Sequence, residues 1–172
     1  MVDHYNSEAC YFYDYDDIVE YNATYSHGNS CGELPCPEKL SLAVGMRVMT
    51  ICNSDKFKNG SIGTIVRTNE TSIRIRFDNG TEANVNKQRF VLQNGVIYEQ
   101  IPVVLAFAIT ANKAEGMTFD EINVVPGFFA PGQLYTALSR CRHIQGIFID
   151  GELSKRDLHI DIEALRMTVE EV

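Results

Sequence analysis

The sequence predicts an α/β fold, a parallel sheet into which a small antiparallel β-barrel is inserted. Three observations carry that reading. Between residues 38 and 98 short apolar runs alternate with hairpin-type dipeptides, and after residue 99 the order becomes strand, helix, strand. A chain of 172 residues suits one ordinary domain carrying an insert. The divisions are residues 1–37 as the first part of the α/β domain, 38–98 as the barrel, and 99–172 as the remainder of the α/β domain.

In the first division, Tyr11-Phe12-Tyr13-Asp14-Tyr15-Asp16-Asp17 suits either a strand of the parallel sheet or a loose acidic arm. Aromatics that stack on single-stranded bases are interleaved with Lys and Arg, but these are interleaved with acids, so their expected role is packing. In the second, Arg47-Val48-Met49-Thr50-Ile51, Gly63-Thr64-Ile65-Val66 and Ser72-Ile73-Arg74-Ile75-Arg76-Phe77 are punctuated by Asn59-Gly60 and Asn79-Gly80. Ile73, Ile75 and Phe77 share one face of their strand while Arg74 and Arg76 share the other, which predicts a barrel with a basic exterior. The third division predicts a strand over 103–110, a short helix near 111–115, a strand over 122–125, a helix over 132–142, a strand over 147–149 and a closing helix over 161–169.

The net charge of −8 argues at first against nucleic acid, yet it is unevenly spread. Residues 1–37 hold no Lys or Arg and seven acids, whereas residues 38–98 hold nine bases and five acids. Only the middle segment has the sign that attracts a phosphate backbone. No apolar run approaches the ~20 residues of a membrane helix, and no leader-like segment opens the chain, so a soluble, cytoplasmic protein is expected. Cys10, Cys31, Cys36, Cys52 and Cys141 are odd in number and scattered, which suits free thiols in a reducing compartment. Cys31 and Cys36 with His27 and Cys10 offer a zinc alternative, although their spacing is not a common ligand pattern and no metal site is expected.

The chemistry concentrates in two blocks. Leu105-Ala106-Phe107-Ala108-Ile109-Thr110 runs into Ala111-Asn112-Lys113-Ala114-Glu115-Gly116-Met117-Thr118-Phe119, an apolar strand ending in polar residues where free backbone N–H groups face a phosphate. Gly132-Gln133-Leu134-Tyr135-Thr136-Ala137-Leu138-Ser139-Arg140 reads as a helix with an arginine on its last turn. These blocks resemble motifs V and VI of superfamily 1 DNA helicases, most closely the RecD-like and Pif-type branch. The resemblance runs through Glu33-Leu34-Pro35, the 40–49 run, Asn53, the 59–66 run, Phe77-Asp78-Asn79-Gly80 and Gln100-Ile101-Pro102.

The resemblance implies a partial RecA-like domain carrying an SH3-like barrel, and it implies roles for particular residues. Arg140 would be the catalytic arginine finger, neutralising charge on a transferring γ-phosphate, an effect typically worth ~10³–10⁵ in rate. Glu115, Gly116 and Arg142 would lie beside the nucleotide. Thr110, Asn112, Lys113 and Thr118 would contact DNA phosphates, with Lys56, Lys58, Arg74 and Arg76 of the barrel as further DNA contacts. The blander reading makes Arg140 a complement to its own helix terminus, the 110–118 segment a capped turn, and the four barrel cations a solvated face. Asn112, Ala114 and Glu115 replace the family's His, Ser and Gln, and Glu115 places a negative charge where the family has an amide. Tyr135 is expected to pack against the sheet, and Gly116 and Gly132 to serve turns.

No Gly-x-x-x-x-Gly-Lys-Ser/Thr run occurs in the sequence. By resemblance that loop, and the acid that holds magnesium, belong to an N-terminal helicase domain, on the same longer chain or another. ATP and Mg²⁺ would then be held mainly by that domain, and this chain alone should not hydrolyse ATP. Single-stranded DNA and that domain are the expected partners. The alternative is a stand-alone module in which the barrel binds nucleic acid or protein.

Overall fold

The computed structural model describes residues 1–26 and 34–159. His27, Cys31 and Glu33 lie outside them, as does the expected closing helix over 161–169. The chain divides into two compact units, Met1–Ala108 and a second beginning at Ile109.

The first unit opens with helix α1 (Val2–Cys10) and a single 3₁₀ turn at Tyr15–Asp17, so the acidic arm is neither a strand nor loose throughout. Strands β1 (Val19–Asn22), β2 (Thr24–Tyr25), β3 (Lys39–Leu42), β4 (Arg47–Thr50), β5 (Ile62–Thr68), β6 (Ser72–Phe77), β7 (Glu82–Asn86), β8 (Gln88–Val91), β9 (Ile97–Gln100) and β10 (Val103–Leu105) follow. The main sheet has the order β10-β4-β5-β6-β7 with every pair antiparallel, flanked by a β1-β3 pair and a β2-β9-β8 sheet.

Alternation in β6 is as expected: Ile73, Ile75 and Phe77 are buried while Arg74 and Arg76 face outward. The buried side pools with Tyr21, Leu42, Met46, Val48, Ile65 and Val85 into one core. Each such side chain stabilises the fold by about 1.5–3 kcal/mol through removal from water. Tight turns match the dipeptide at Asn79-Gly80, where Gly80 adopts φ +83 and Asn79 Oδ1 accepts the Thr81 N–H at 3.0 Å. The register of β5 against β6 shifts between Ile65 and Arg67.

Three expectations are corrected. The main sheet is open among the described residues, with β10 and β7 at its edges, so no closed barrel is seen. The strand predicted over 103–110 stops at Leu105 and pairs antiparallel with β4 rather than entering a parallel sheet. Its continuation is held instead by Asn6 of α1, whose side chain accepts the Ala108 N–H at 2.9 Å and donates to Ala108 O at 3.1 Å and Leu105 O at 3.4 Å. Packing was expected of the arm's aromatics, yet Tyr11, Phe12 and Tyr15 are exposed. Tyr13 alone of that group joins the core, its ring centroid 6.2 Å from that of Phe107.

The second unit contains β11 (Ile122–Val124), helix α2 (Gln133–Leu138), a 3₁₀ turn at Ile144–Gly146 and β12 (Ile147–Ile149). β11 and β12 pair in parallel, the arrangement that a strand-helix-strand order produces. The helix is shorter than the predicted 132–142 span, entered through Gly132 at φ +76. The fold is thus a mixed α/β one with antiparallel and parallel sheets.

Candidate functional site

The segment from Thr110 to Thr118 forms successive turns instead of the expected short helix. Thr110 Oγ1 accepts the Lys113 N–H at 3.2 Å, Ala114 N–H donates to Thr110 O at 3.1 Å, and Met117 N–H to Ala114 O at 3.0 Å. Gly116, at φ +78, closes the last turn, a conformation that side chains disfavour. So short a run makes too few i→i−4 bonds to repay helix nucleation. Buried Ala114 anchors the segment, while Thr110, Asn112, Lys113, Glu115, Gly116 and Thr118 are exposed. Among the described residues Lys113 and Glu115 make no ion pair.

Arg140 lies just past α2, and its guanidinium is folded back. Nε donates to Thr136 O at 3.0 Å, Nη2 to Ser139 Oγ at 2.8 Å, and Nη1 to Met117 O at 3.4 Å. Its backbone is tied to the end of the 110–118 segment: the Phe119 N–H donates to Arg140 O at 2.8 Å and the Arg142 N–H to Phe119 O at 3.0 Å. A parallel bridge pairs Phe119 with Cys141, and Cys141 Sγ donates to Asp120 O at 3.2 Å. Arg142 is ion-paired to Asp120 at 2.7 Å, both side chains largely exposed. Gly146 is buried against this junction, where any Cβ would collide with the Asp120 carbonyl oxygen. The 110–119 part of the first block and the second block are therefore joined inside the second unit. Tyr135 is not packed as expected: it is 77% exposed.

On the outward face of the main sheet, Arg74 and Arg76 do not present free charges. Both donate Nε–H to one carboxylate across the β6–β7 pair, Arg76 to Glu82 Oε1 at 2.8 Å and Arg74 to Glu82 Oε2 at 3.0 Å. The Arg76 hydrogen bond, followed by the charges of both arginines, holds the Glu82 carboxyl below its usual pKa. Lys56 and Lys58 are exposed on the β4–β5 connection, which is ordered by Asn53 Oδ1 accepting the Asn59 N–H at 2.9 Å and by Phe57 against Phe77 at 5.4 Å.

Sequence reasoning missed two residues that shape the loops of the second unit. Gln133 Oε1 accepts the Phe129 and Ala130 N–H groups at 3.1 and 3.2 Å, closing the loop that leads into α2. Asp157, nearly buried, accepts from Ser154 N–H and Ser154 Oγ at 2.8 Å each, from Gly127 N–H at 3.0 Å and from Phe128 N–H at 3.3 Å. Those donors, the Ser154 backbone first, hold its carboxyl down at about 2. Ser154 is a local partner three residues before Asp157, but the convergence gives no local signal because Gly127 and Phe128 lie 30 and 29 residues away.

For metal, no cluster of three His, Cys, Asp or Glu occurs among the described residues. Cys36 is buried beside Ile101 O and the Tyr98 hydroxyl, and burial pushes its thiol pKa up. Cys10 donates to Asn6 O at 3.3 Å. Among the described residues no helix is long and apolar enough to cross a membrane.

No protein-family profile matches the chain. The ATP-dependent DNA helicase Pif1 of Bdellovibrio bacteriovorus is 34% identical over 139 residues, which cover 76% of this chain and 31% of the relative. The human ATP-dependent DNA helicase PIF1 is 32% identical over 126 residues, covering 67% of this chain and 20% of that protein. Among solved structures, the Pif1 helicase from Bacteroides in complex with ADP-AlF3 and single-stranded DNA superposes with a TM-score of 0.83 at 29% identity, covering 98% of this chain and 42% of that one. The chain thus spans about a third or less of the length of these sequence relatives. It is homologous to the C-terminal region of Pif1-type superfamily 1 DNA helicases.

Proposed function

We propose that this homologue of the Pif1 C-terminal region supplies the second RecA-like domain of an ATP-dependent DNA helicase. Arg140 acts as its arginine finger and the 110–118 segment as part of its single-stranded DNA track. The observation that carries the reading is the junction at Phe119–Arg142, where the candidate DNA-contact segment and the candidate finger share two backbone hydrogen bonds that form a parallel bridge. A motor needs such a join, since strand occupancy has to be felt where phosphate charge develops. The main antiparallel sheet corresponds, in this reading, to the SH3-like insert.

The residues present fit one wall of a nucleotide site. Arg140 and Arg142 offer guanidinium donors for phosphate oxygens, but no lysine-bearing glycine loop accompanies them. ATP and Mg²⁺ would be held mainly by the N-terminal helicase domain. The ion, when bound, would neutralise phosphate charge. This chain's part is to bring a planar, permanently charged group to the γ-phosphate.

The test joins the chain to the N-terminal portion of the Bdellovibrio relative and measures ATPase with and without single-stranded DNA. DNA-stimulated turnover that depends on Arg140 supports the reading. Turnover indifferent to Arg140→Ala removes the finger, and no turnover from a soluble, folded fusion favours a binding module.

A further inference from the structure

Glu82 has a position that ordinary surface pairing does not require. Its two oxygens are divided between two guanidinium groups on the neighbouring strand, one directly opposite (Arg76) and one diagonal to it, since Arg74 faces Asn84. A carboxylate shared in this way presents the same pair of oxygens as the non-bridging oxygens of a phosphodiester. Each arginine spends only its Nε–H on Glu82, and among the described residues their Nη groups make no hydrogen bond.

The surroundings favour a further anion. Arg67 lies across from Arg74 in the β5–β6 register, is exposed, and has no ion-pair partner among the described residues. Asn84 and Asn86 are exposed along β7 beside them. Three guanidinium groups and one carboxylate leave the cluster net positive in a chain whose overall charge is −8.

We propose that Glu82 is an internal stand-in for phosphate, and that a phosphodiester of single-stranded nucleic acid binds at Arg74 and Arg76 by displacing it, with Arg67 steering the approach. This rests on the reading of this sheet face as a DNA contact. Partly exposed ion pairs hold their geometry weakly, each by no more than about fivefold in an equilibrium constant, so a phosphate can displace the carboxylate. The glutamate then acts as a threshold: it keeps the arginines aligned without a strand and lowers affinity for stray anions.

The experiment is fluorescence anisotropy of a labelled oligo-dT with the 172-residue chain, comparing wild type, Glu82→Gln, Glu82→Ala, Arg74→Ala/Arg76→Ala and the triple variant containing Glu82→Gln. Both Glu82 variants should bind more tightly, by roughly twofold to thirtyfold, the range that two such pairs can withhold. That gain should vanish when both arginines are absent. Unchanged or weaker binding by Glu82→Gln and Glu82→Ala, with weaker binding by the double arginine variant, overturns the stand-in while leaving the DNA contact intact. A gain that persists in the triple variant reduces Glu82 to long-range charge and also overturns it. If the double arginine variant binds like wild type, the DNA-contact reading of this face fails first.

Discussion

Gly146→Ala tests whether the junction between the two sequence blocks is a real mechanical link. The glycine's φ lies outside the left-handed range, so an alanine can adopt its backbone; the obstacle is space. The added methyl would collide with Asp120 O and lie 2.9 Å from Cys141 Sγ and 3.2 Å from the Asp120 carbonyl carbon. Two of those three are backbone atoms that no rotamer change can move, so the 119–120 segment must shift away. Overpacking of this kind costs about 1–3 kcal/mol. The shift also breaks the Phe119–Arg140 and Arg142–Phe119 hydrogen bonds of 2.8 and 3.0 Å, each worth about 0.5–1.5 kcal/mol. The sum is about 2–6 kcal/mol, confined to the second unit. Hydrogen exchange should show the Phe119 and Arg142 amides losing protection by roughly 30-fold or more while β5 and β6 amides keep theirs. Gly116→Ala is the control, since its φ of +78 is costly but nothing lies within 4 Å of a Cβ there. Unchanged protection at Phe119 and Arg142 in Gly146→Ala would refute the packing argument.

In a fusion that restores ATPase, Arg140→Ala should lower kcat roughly 10³-fold with single-strand affinity near normal, and Arg140→Lys should recover little; a steady-state ATPase titration with DNA reads both. Thr110→Ala should do the reverse, weakening DNA coupling with a milder loss of basal hydrolysis. Gln100 is buried, donating Nε2–H to Tyr21 O and Glu38 O at 2.9 Å each and accepting the Ile101 N–H at 2.9 Å. Gln100→Leu removes these bonds and takes from the Ile101 N–H its acceptor, while Glu38 O keeps the Ala23 N–H at 2.7 Å, and should destabilise the first unit by about 1–3 kcal/mol in urea titrations. Asp157 has its carboxyl lowered from 3.8 to about 2, so its stabilising contribution is complete above pH ~4 and lost as pH falls to about 2. Asp157→Asn should abolish that part of the acid transition of the second unit, followed by near-ultraviolet circular dichroism.

What was legible in the sequence is what local chemistry decides. The alternation Ile73, Ile75, Phe77 against Arg74, Arg76 set the face of β6, the 147–149 strand was read with its observed bounds, and Gly116 and Gly132 were read as turn formers that their positive φ values require. What escaped depends on register and long-range pairing. Nothing local to Val103–Leu105 says that it pairs with β4 rather than a parallel neighbour, and nothing in Arg74 or Arg76 alone reveals that Glu82, opposite Arg76, reaches both. The run 111–115 has helix-compatible residues, but a turn closed by Gly116 wins because so short a helix lacks the length to repay its nucleus. Tyr135 was placed in the core on helical spacing alone, although α2 is too short to bury more than one stripe, and Leu134 takes it.

The folded-back guanidinium of Arg140 bears directly on the finger role proposed for it. In its present state it satisfies Thr136 O, Ser139 Oγ and Met117 O, all neutral acceptors. Reaching a phosphate means giving up at least the two Nη bonds, which only a charged, desolvated acceptor can match. In the proposed finger role, the side chain would exchange these neutral acceptors for a phosphate. One of the bonds to be released is to Met117, two residues before the Phe119 bridge, inside the segment read as the strand contact. A DNA phosphate that moves the 110–118 turns would lengthen that 3.4 Å bond first, being the weakest of the three, and so lower the cost of release. If Arg140 is the finger proposed above, strand binding and finger release would be linked through the Met117 carbonyl as well as through the Phe119 backbone bonds. Their coupling should accordingly be lost when Phe119 is unhooked from Arg140, even with every DNA-facing hydroxyl and the guanidinium itself intact.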